Sequence, residues 1–242
     1  MKIKVIGSGS IWSKSSSACY IVDDRILIDI PNGSCKAMLN QKVNVREISE
    51  VLITHFHGDH YFDTPFYLLS KLKSNNKKVN FYLSEEGIDK INSLTNLAFP
   101  NTYNTIFNEI DINFITEDKF KIGKYFVQKL LVDHGRMKPA YGYIIEKNGV
   151  KIGFTGDTSF CEQVKYMAKE CDVLVCDACL INPTSKHMGV QDIVYLCENY
   201  DTIFITSHMD DEVKSLLSEL KYNNLIIGED GMEYFTKGDM YE

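Results

Sequence analysis

The segment Thr54-His55-Phe56-His57-Gly58-Asp59-His60 constrains this chain more than any other stretch of it. It places three imidazoles and one carboxylate within six residues. Imidazole and carboxylate are borderline and hard ligands, which suit zinc, manganese or iron. Glu50 to Thr54 reads as a strand running directly into the cluster. On an extended backbone, His55 and His57 project from one face. A turn at Gly58 then swings Asp59 and His60 toward a second ion, so one short loop can serve two neighbouring metals.

The chain has six histidines, and the other three are His134, His187 and His208. Val132-Asp133-His134-Gly135 follows a predicted strand, Ser207-His208-Met209 follows another, and Lys186-His187-Met188-Gly189 precedes a helix. Taken singly, each reads as a surface or capping histidine. Beside the cluster that reading weakens. In Phe154-Thr155-Gly156-Asp157-Thr158 a strand ends, glycine allows a sharp turn, and one carboxylate is presented. Alone this is a turn; beside a two-metal loop, Asp157 is placed to bridge both ions.

Composition is that of an ordinary globular protein, with 44% hydrophobic and 24% charged residues in 242. The net charge of −7 and the lack of a dense Lys/Arg run argue against a grip on long nucleic acid. Lys71 to Lys78, with lysines among Ser and Asn, reads as a solvated helix end and loop. No stretch approaches the ~20 apolar residues of a membrane span. The seven cysteines are odd in number and irregularly spaced, and no secretory signal is seen. Reduced thiols and a cytoplasmic location are expected. Cys176-Asp177-Ala178-Cys179 matches C-x-x-C but lies at a strand end, so buried strand cysteines are expected rather than a redox pair. Gly7-Ser8-Gly9-Ser10 is too short for a phosphate loop and reads as a turn after the first strand.

Strands are predicted near Ile3–Val5, Cys19–Val22, Arg25–Ile30, Glu50–Thr54, Val79–Leu83, Ile110–Ile115, Tyr125–Val132, Tyr141–Glu146, Lys151–Phe154, Val173–Cys176, Thr202–Thr206 and Leu225–Ile227. Asn148-Gly149 is a hairpin turn. Helices are predicted after Asp63-Thr64-Pro65, over Ile88–Ala98, Glu162–Lys169, Val190–Asn199 and Asp211–Leu220. No linker or repeat divides the chain, and one domain over residues 1–242 is expected. The pattern fits an αββα sandwich and, taken alone, also a Rossmann-type sheet.

The segment Thr54 to His60 resembles the signature of the metallo-β-lactamase-fold hydrolases. His134, Thr155-Gly156-Asp157-Thr158 and His208 resemble the remaining ligand motifs in order and spacing. Asp29, after Ile26-Leu27-Ile28, resembles the early aspartate that supports the histidine loop. The resemblance runs from Asp29 to His208 and implies an α/β fold, the αββα four-layer sandwich. It implies one metal on His55, His57 and His134, another on Asp59, His60 and His208, and Asp157 between them. The implied cofactors are two divalent ions, zinc first, with manganese or iron as alternatives. Within the superfamily the chain is most similar to the ribonuclease Z-like phosphodiesterases, including small enzymes that open cyclic nucleotide-like phosphodiesters. Ala140-Tyr141-Gly142-Tyr143 after His134, Asp177-Ala178 after the next strand, and His187 before a helix carry this likeness. It implies an Asp177–His187 pair, with His187 contacting phosphate or protonating the leaving group. Asp59, His187 and Asp177 are the residues it marks as catalytic.

Two departures narrow the reading. No cysteine stands at the Asp157 position, unlike several β-lactamases, which counts against antibiotic hydrolysis. Bacterial ribonuclease Z carries a tRNA-gripping arm between the positions of His134 and Asp157, and here strand, hairpin and strand use up that space. A small phosphodiester, cleaved by metal-activated hydroxide, is therefore expected. An acyl hydrolase (lactonase or thioesterase) on the same centre is the alternative, and a non-hydrolytic redox or nucleic-acid-binding protein stands behind it. The expected partner is a small ester; no membrane partner is expected, and a homodimer follows only from family habit.

Overall fold

The computed structural model describes residues 1–236; residues 237–242, the end of the expected domain, lie outside the described residues. Two sheets face each other. The first has the order β14-β1-β2-β3-β4-β5-β6, from β1 (Lys2–Gly7), β2 (Cys19–Val22), β3 (Ile26–Ile28), β4 (Glu50–Leu52), β5 (Lys78–Tyr82), β6 (Asp111–Ile115) and β14 (Glu233–Phe235). The second has the order β13-β12-β11-β10-β9-β8-β7. It uses β7 (Lys119–Ile122), β8 (Tyr125–His134), β9 (Met137–Lys147), β10 (Val150–Phe154), β11 (Val173–Asp177), β12 (Ile203–Ser207) and β13 (Leu225–Ile227).

Three apolar layers hold the molecule together. Between the sheets lie Val5, Ile28, Leu52, Tyr143, Phe154 and Val175, all buried. Outside the first sheet, Leu27, Val51, Phe81, Tyr67, Leu68 and Ile91 pack it against α3 (Thr64–Lys71) and α4 (Glu85–Ala98). Outside the second, Leu174, Phe204, Met167, Ile193 and Leu217 pack it against α6 (Glu162–Glu170), α7 (Val190–Asn199) and α8 (Asp211–Ser218). Three apolar interfaces require four layers, so this is the αββα sandwich and not a single Rossmann-type sheet. Strands covered on both faces, such as β3, β4 and β11, are buried at every residue, as continuous apolar runs require.

Several elements carry no strong sequence signal. They are α1 (Ser34–Asn40), α2 (Gly58–Tyr61), α5 (Tyr103–Glu109), β7 and β14. All are short, and a helix of one or two turns shows no measurable periodicity. Asp63 does stand at the N-cap of α3 with proline in the first turn, but its side chain caps nothing there. Its Oδ2 instead accepts the Cys35 N–H at 2.9 Å.

Lys71 corrects one expectation. It is fully buried rather than solvated. Its Nζ donates to the carbonyls of Arg46 at 2.6 Å and Ile48 at 3.1 Å. Burial pushes its pKa down to about 8. The ammonium thus joins the Ser74 and Tyr67 hydroxyls in pairing the buried carbonyls of the segment entering β4. Lys73 and Lys78 are exposed as expected.

Strands β3, β4 and β5 run parallel, as do β10, β11 and β12. β8 and β10 are each antiparallel to β9, so β8 points the same way as β10. The C-terminal ends of these strands therefore open onto common edges, where α/β folds collect ligand-binding loops. Hydrogen bonds join the sheets at that edge. Tyr141 N donates to Thr54 O at 2.9 Å, and Tyr143 Oη donates to Ile53 O at 2.8 Å. Gly142 lies between these tyrosines, where a Cβ would stand 2.9 Å from Phe154 O.

Candidate metal centre

Six strand ends deliver the side chains. Asp29 follows β3 with a left-handed φ of 61°. It accepts Thr54 N at 2.8 Å and Thr54 Oγ1 at 2.7 Å, and so anchors the start of the histidine loop. After β4 the chain stays extended to His57, which is the N-cap of α2. The expected turn at Gly58 is thus one short helix, and it carries Asp59 and His60. A β-bulge between Val132 and His134 ends β8 and aims His134. Gly156 follows β10 at φ 61°, where a Cβ would meet Tyr141 O at 2.7 Å; glycine is required to present Asp157. Asp177 ends β11, and His208 follows β12 with φ 55°.

The Gly7–Ser10 turn does more than reverse the chain. Ser8 O accepts Met209 N at 3.1 Å, and Ser10 N donates to Met209 O at 3.0 Å. It pins the backbone just beyond His208.

The side chains converge in two clusters. His55, His57, His134 and Asp157 form one, and Asp59, His60 and His208 form the other. In the first, His57 Nδ1 lies 3.0 Å from His55 Nε2 and 3.1 Å from His134 Nε2. Asp157 Oδ2 lies 3.7 and 3.8 Å from those two Nε2 atoms. In the second, Asp59 Oδ2 lies 3.7 Å from His60 Nε2 and 3.3 Å from His208 Nε2. The same Asp157 Oδ2 stands 3.3 Å from His60 Nε2 and 3.4 Å from His208 Nε2. Metal–ligand bonds of about 2.0–2.1 Å in a tetrahedron set neighbouring donors about 3.3–3.4 Å apart. The separations in both clusters, 3.0–3.8 Å, lie on either side of that spacing, and one carboxylate oxygen belongs to both. His60 Nε2 is buried with no hydrogen-bond partner in the described protein, which a cation between it, Asp59 and Asp157 would supply.

The outer faces of the rings are held by oxygen. His60 Nδ1–H donates to Asp29 Oδ2 at 2.7 Å. His134 Nδ1–H donates to Lys186 O at 2.8 Å. Thr54 Oγ1, its own proton given to Asp29, lies 3.1 Å from His55 Nδ1 and accepts from it. Such contacts orient ligand imidazoles. The Lys186 carbonyl is a backbone group with no sequence signature.

Electrostatics differ between the clusters. Burial lowers the pKa of His55, His57 and His134, and the neighbouring rings add to the effect on His55 and His57. Burial also disfavours charge on His60 and His208. There the carboxylates win: Asp157 and Asp29 push His60 up to about 10, and Asp157 and Asp59 raise His208 as well.

Asp177 and His187 are paired. His187 Nδ1–H donates to Asp177 Oδ2 at 2.9 Å. That oxygen also accepts Thr158 N, and Asp177 Oδ1 accepts Cys179 N, each at 3.0 Å. The His187 ring stacks on His208 at 5.3 Å between centroids and meets His134 edge-on at 4.9 Å. It therefore touches one ring of each cluster. Burial lowers its pKa, but Asp177 outweighs burial and raises it. A cleft of about 470 Å³ lies at the opposite edge, against Lys169, Asp172, Tyr200 and Thr202, and gathers none of these residues.

Comparison with known proteins agrees with this architecture. A family model described as Anti-Pycsar protein Apyc1 matches residues 1–228. The ribonuclease Z of Thermococcus kodakarensis is 24% identical, over 66% of this chain and 65% of that protein. The chain thus spans just under two thirds of that relative's length. Human tRNase Z, short form, superposes with a TM-score of 0.75 at 18% identity, covering 97% of this chain and 99% of that one. A diphosphatase from the PhnP family superposes with a TM-score of 0.74 at 17% identity, covering 98% of each. The fold is the metallo-β-lactamase fold. Among the described residues, no helix is long and apolar enough to cross a membrane.

Proposed function

The chain belongs to the Anti-Pycsar protein Apyc1 family, and from that premise we propose that it is a metal-dependent hydrolase that cleaves a small phosphodiester. His55, His57 and His134 would hold one divalent cation, and Asp59, His60 and His208 another, with Asp157 reaching both. Zinc suits these nitrogen and oxygen donors, and manganese or iron are the alternatives. When bound, two such cations make water nucleophilic near neutral pH and neutralise phosphate oxygens.

The observation that carries the phosphodiester reading is the Asp177–His187 pair beside both clusters. Asp177 fixes the His187 ring through Nδ1 and favours its charged form. The opposite ring nitrogen, Nε2, is left to donate. A charged imidazole there binds a phosphate oxygen and hands a proton to a departing alkoxide. The described residues between His134 and Asp157 are β9, its hairpin and β10, with no arm for tRNA. That supports a small substrate, as does the net charge of −7. Ribonuclease Z and diphosphatase relatives are named for work at phosphorus, which supports the same class.

The test compares leaving groups in His187→Ala. A cyclic nucleotide-like ester departs as a poor alkoxide and needs the proton. Its turnover should fall roughly 10²–10⁴-fold with metal content unchanged. Bis(p-nitrophenyl) phosphate departs without protonation and should fall far less. Equal losses on both would remove His187 from the acid role. Faster turnover of a lactone or thioester than of any phosphodiester would replace the reading with acyl hydrolysis.

A further inference from the structure

The ligand imidazoles are not all secured alike. The outer nitrogens of His55, His60 and His134 each meet an oxygen, and His57 is exposed to solvent. His208 is different. It is only 5% exposed, and its Nδ1 is buried with no hydrogen-bond partner among the described residues. The carboxylate oxygen on that side, Asp177 Oδ1, is 3.8 Å away and already accepts Cys179 N–H.

The remaining neighbour is the Cys179 thiol. Cys179, His187 and His208 bring their donor atoms within 4.8 Å of one another. Cys179 is a free, buried cysteine, and its backbone is held on both sides. Its N–H donates to Asp177 at 3.0 Å, and its carbonyl accepts Asp210 N at 3.3 Å. The C-x-x-C match is thus divided between two environments, since Cys176 lies in the helix-facing core and directs its thiol to the Leu174 carbonyl.

We propose that Cys179 is the positioning residue of His208. With a cation on Nε2, the ring would be neutral and carry its proton on Nδ1. The Cys179 sulfur accepts that N–H, in the place where His60 uses a carboxylate and His134 a carbonyl. Sulfur is a weak acceptor, but its larger radius lets it serve at a longer separation than oxygen. This rests on the reading of His208 as a ligand. It makes Cys179 the residue that sets how tightly the second cluster holds its cation.

The experiment titrates metal-free protein with Co²⁺ and follows its visible absorption, with a chelator competing for the ion. Cys179→Ala should weaken the cluster of Asp59, His60 and His208 about 10–100-fold, the usual effect of losing a ligand's outer partner. The cluster of His55, His57 and His134 should be unchanged. Cys179→Ser, which restores a shorter-reaching acceptor, should recover part of the loss, and metal-free melting temperatures of both variants should match the parent. Wild-type affinity of both clusters in Cys179→Ala would overturn the proposal. So would equal weakening of both clusters, or equal loss in the alanine and serine variants. A parent protein that binds Co²⁺ in two steps but cleaves no phosphodiester would sink the proposed function and leave this inference standing. A parent that binds no Co²⁺ would end both.

Discussion

The cluster of His55, His57 and His134 and the cluster of Asp59, His60 and His208 share one oxygen of Asp157, but they differ in how they sit without a cation. In the first, burial and the charge of neighbouring rings lower the pKa values of all three histidines. Their lone pairs are free at neutral pH. In the second, Asp29, Asp59 and Asp157 surround two rings and keep them protonated. Protons there hold the place of a cation. Two half-sites a few ångströms apart thus obey different rules because carboxylates are unevenly divided between them.

Removing the shared oxygen should erase the difference. Asp157→Ala should lose metal from both clusters, and turnover should fall by more than the ~10²–10⁴-fold of a single general acid. Metal analysis beside activity checks this; one cation retained at full affinity would refute the sharing.

Acid should separate the half-sites. Filling the second cluster must expel protons, so its affinity should rise about tenfold per pH unit for each proton released near neutrality. The first should change little. Calorimetry in buffers of differing ionisation enthalpy counts the protons. Stability follows the same sign. His60 has a folded pKa raised to about 10. Its contribution to the metal-free protein is full below the unfolded value near 6.5 and is lost as pH rises through about 10. The melting temperature of the metal-free protein should therefore fall across that window.

Asp29→Asn offers a finer cut. It weakens the partner of His60 alone, and should lower affinity of the second cluster about 10–100-fold. The first cluster should respond less, through the Thr54 contact only. A loss confined to the first cluster would contradict the assignment.

The smallest effect on the centre should come from the far edge. Asp23 accepts Tyr125 Oη and Lys147 Nζ, each at 2.7 Å, and Lys2 N, also at 2.7 Å. Burial raises its pKa, but these donors outweigh burial and lower it. Its stabilising share is present above the unfolded value near 3.9 and is lost as pH falls through the depressed folded value. Asp23→Asn should cost roughly 1–3 kcal/mol of stability, seen in denaturant melts, while both metal affinities stay unchanged.

The legible parts of this protein were local. Cys19–Val22, Val190–Asn199 and Leu225–Ile227 lie where the periodicity put them, because burial on one or both faces writes itself into a short stretch of sequence. His55 to His60 stood out because a contiguous run of imidazole and carboxylate donors has few structural uses. Asp177 and His187 could be paired only through a resemblance; the tertiary structure sets them 2.9 Å apart. The turn at Gly58 proved to be a four-residue helix, too short for any period to register. Lys71 looked solvated because its lysine-rich surroundings are polar; only the packed segment before β4 shows that it is needed inside.

By itself, the sequence determined the donor types, the loop that carries most of them, and the alternation of elements that a sandwich needs. The tertiary structure decided which atoms meet. The shared Asp157 oxygen, the Lys186 carbonyl behind His134 and the thiol behind His208 all depend on two sheet edges brought together by three apolar layers. Burial of those layers is a non-directional force, so it leaves its mark on composition and spacing. Contacts between side chains far apart in the chain depend on register and angle, which no local pattern encodes.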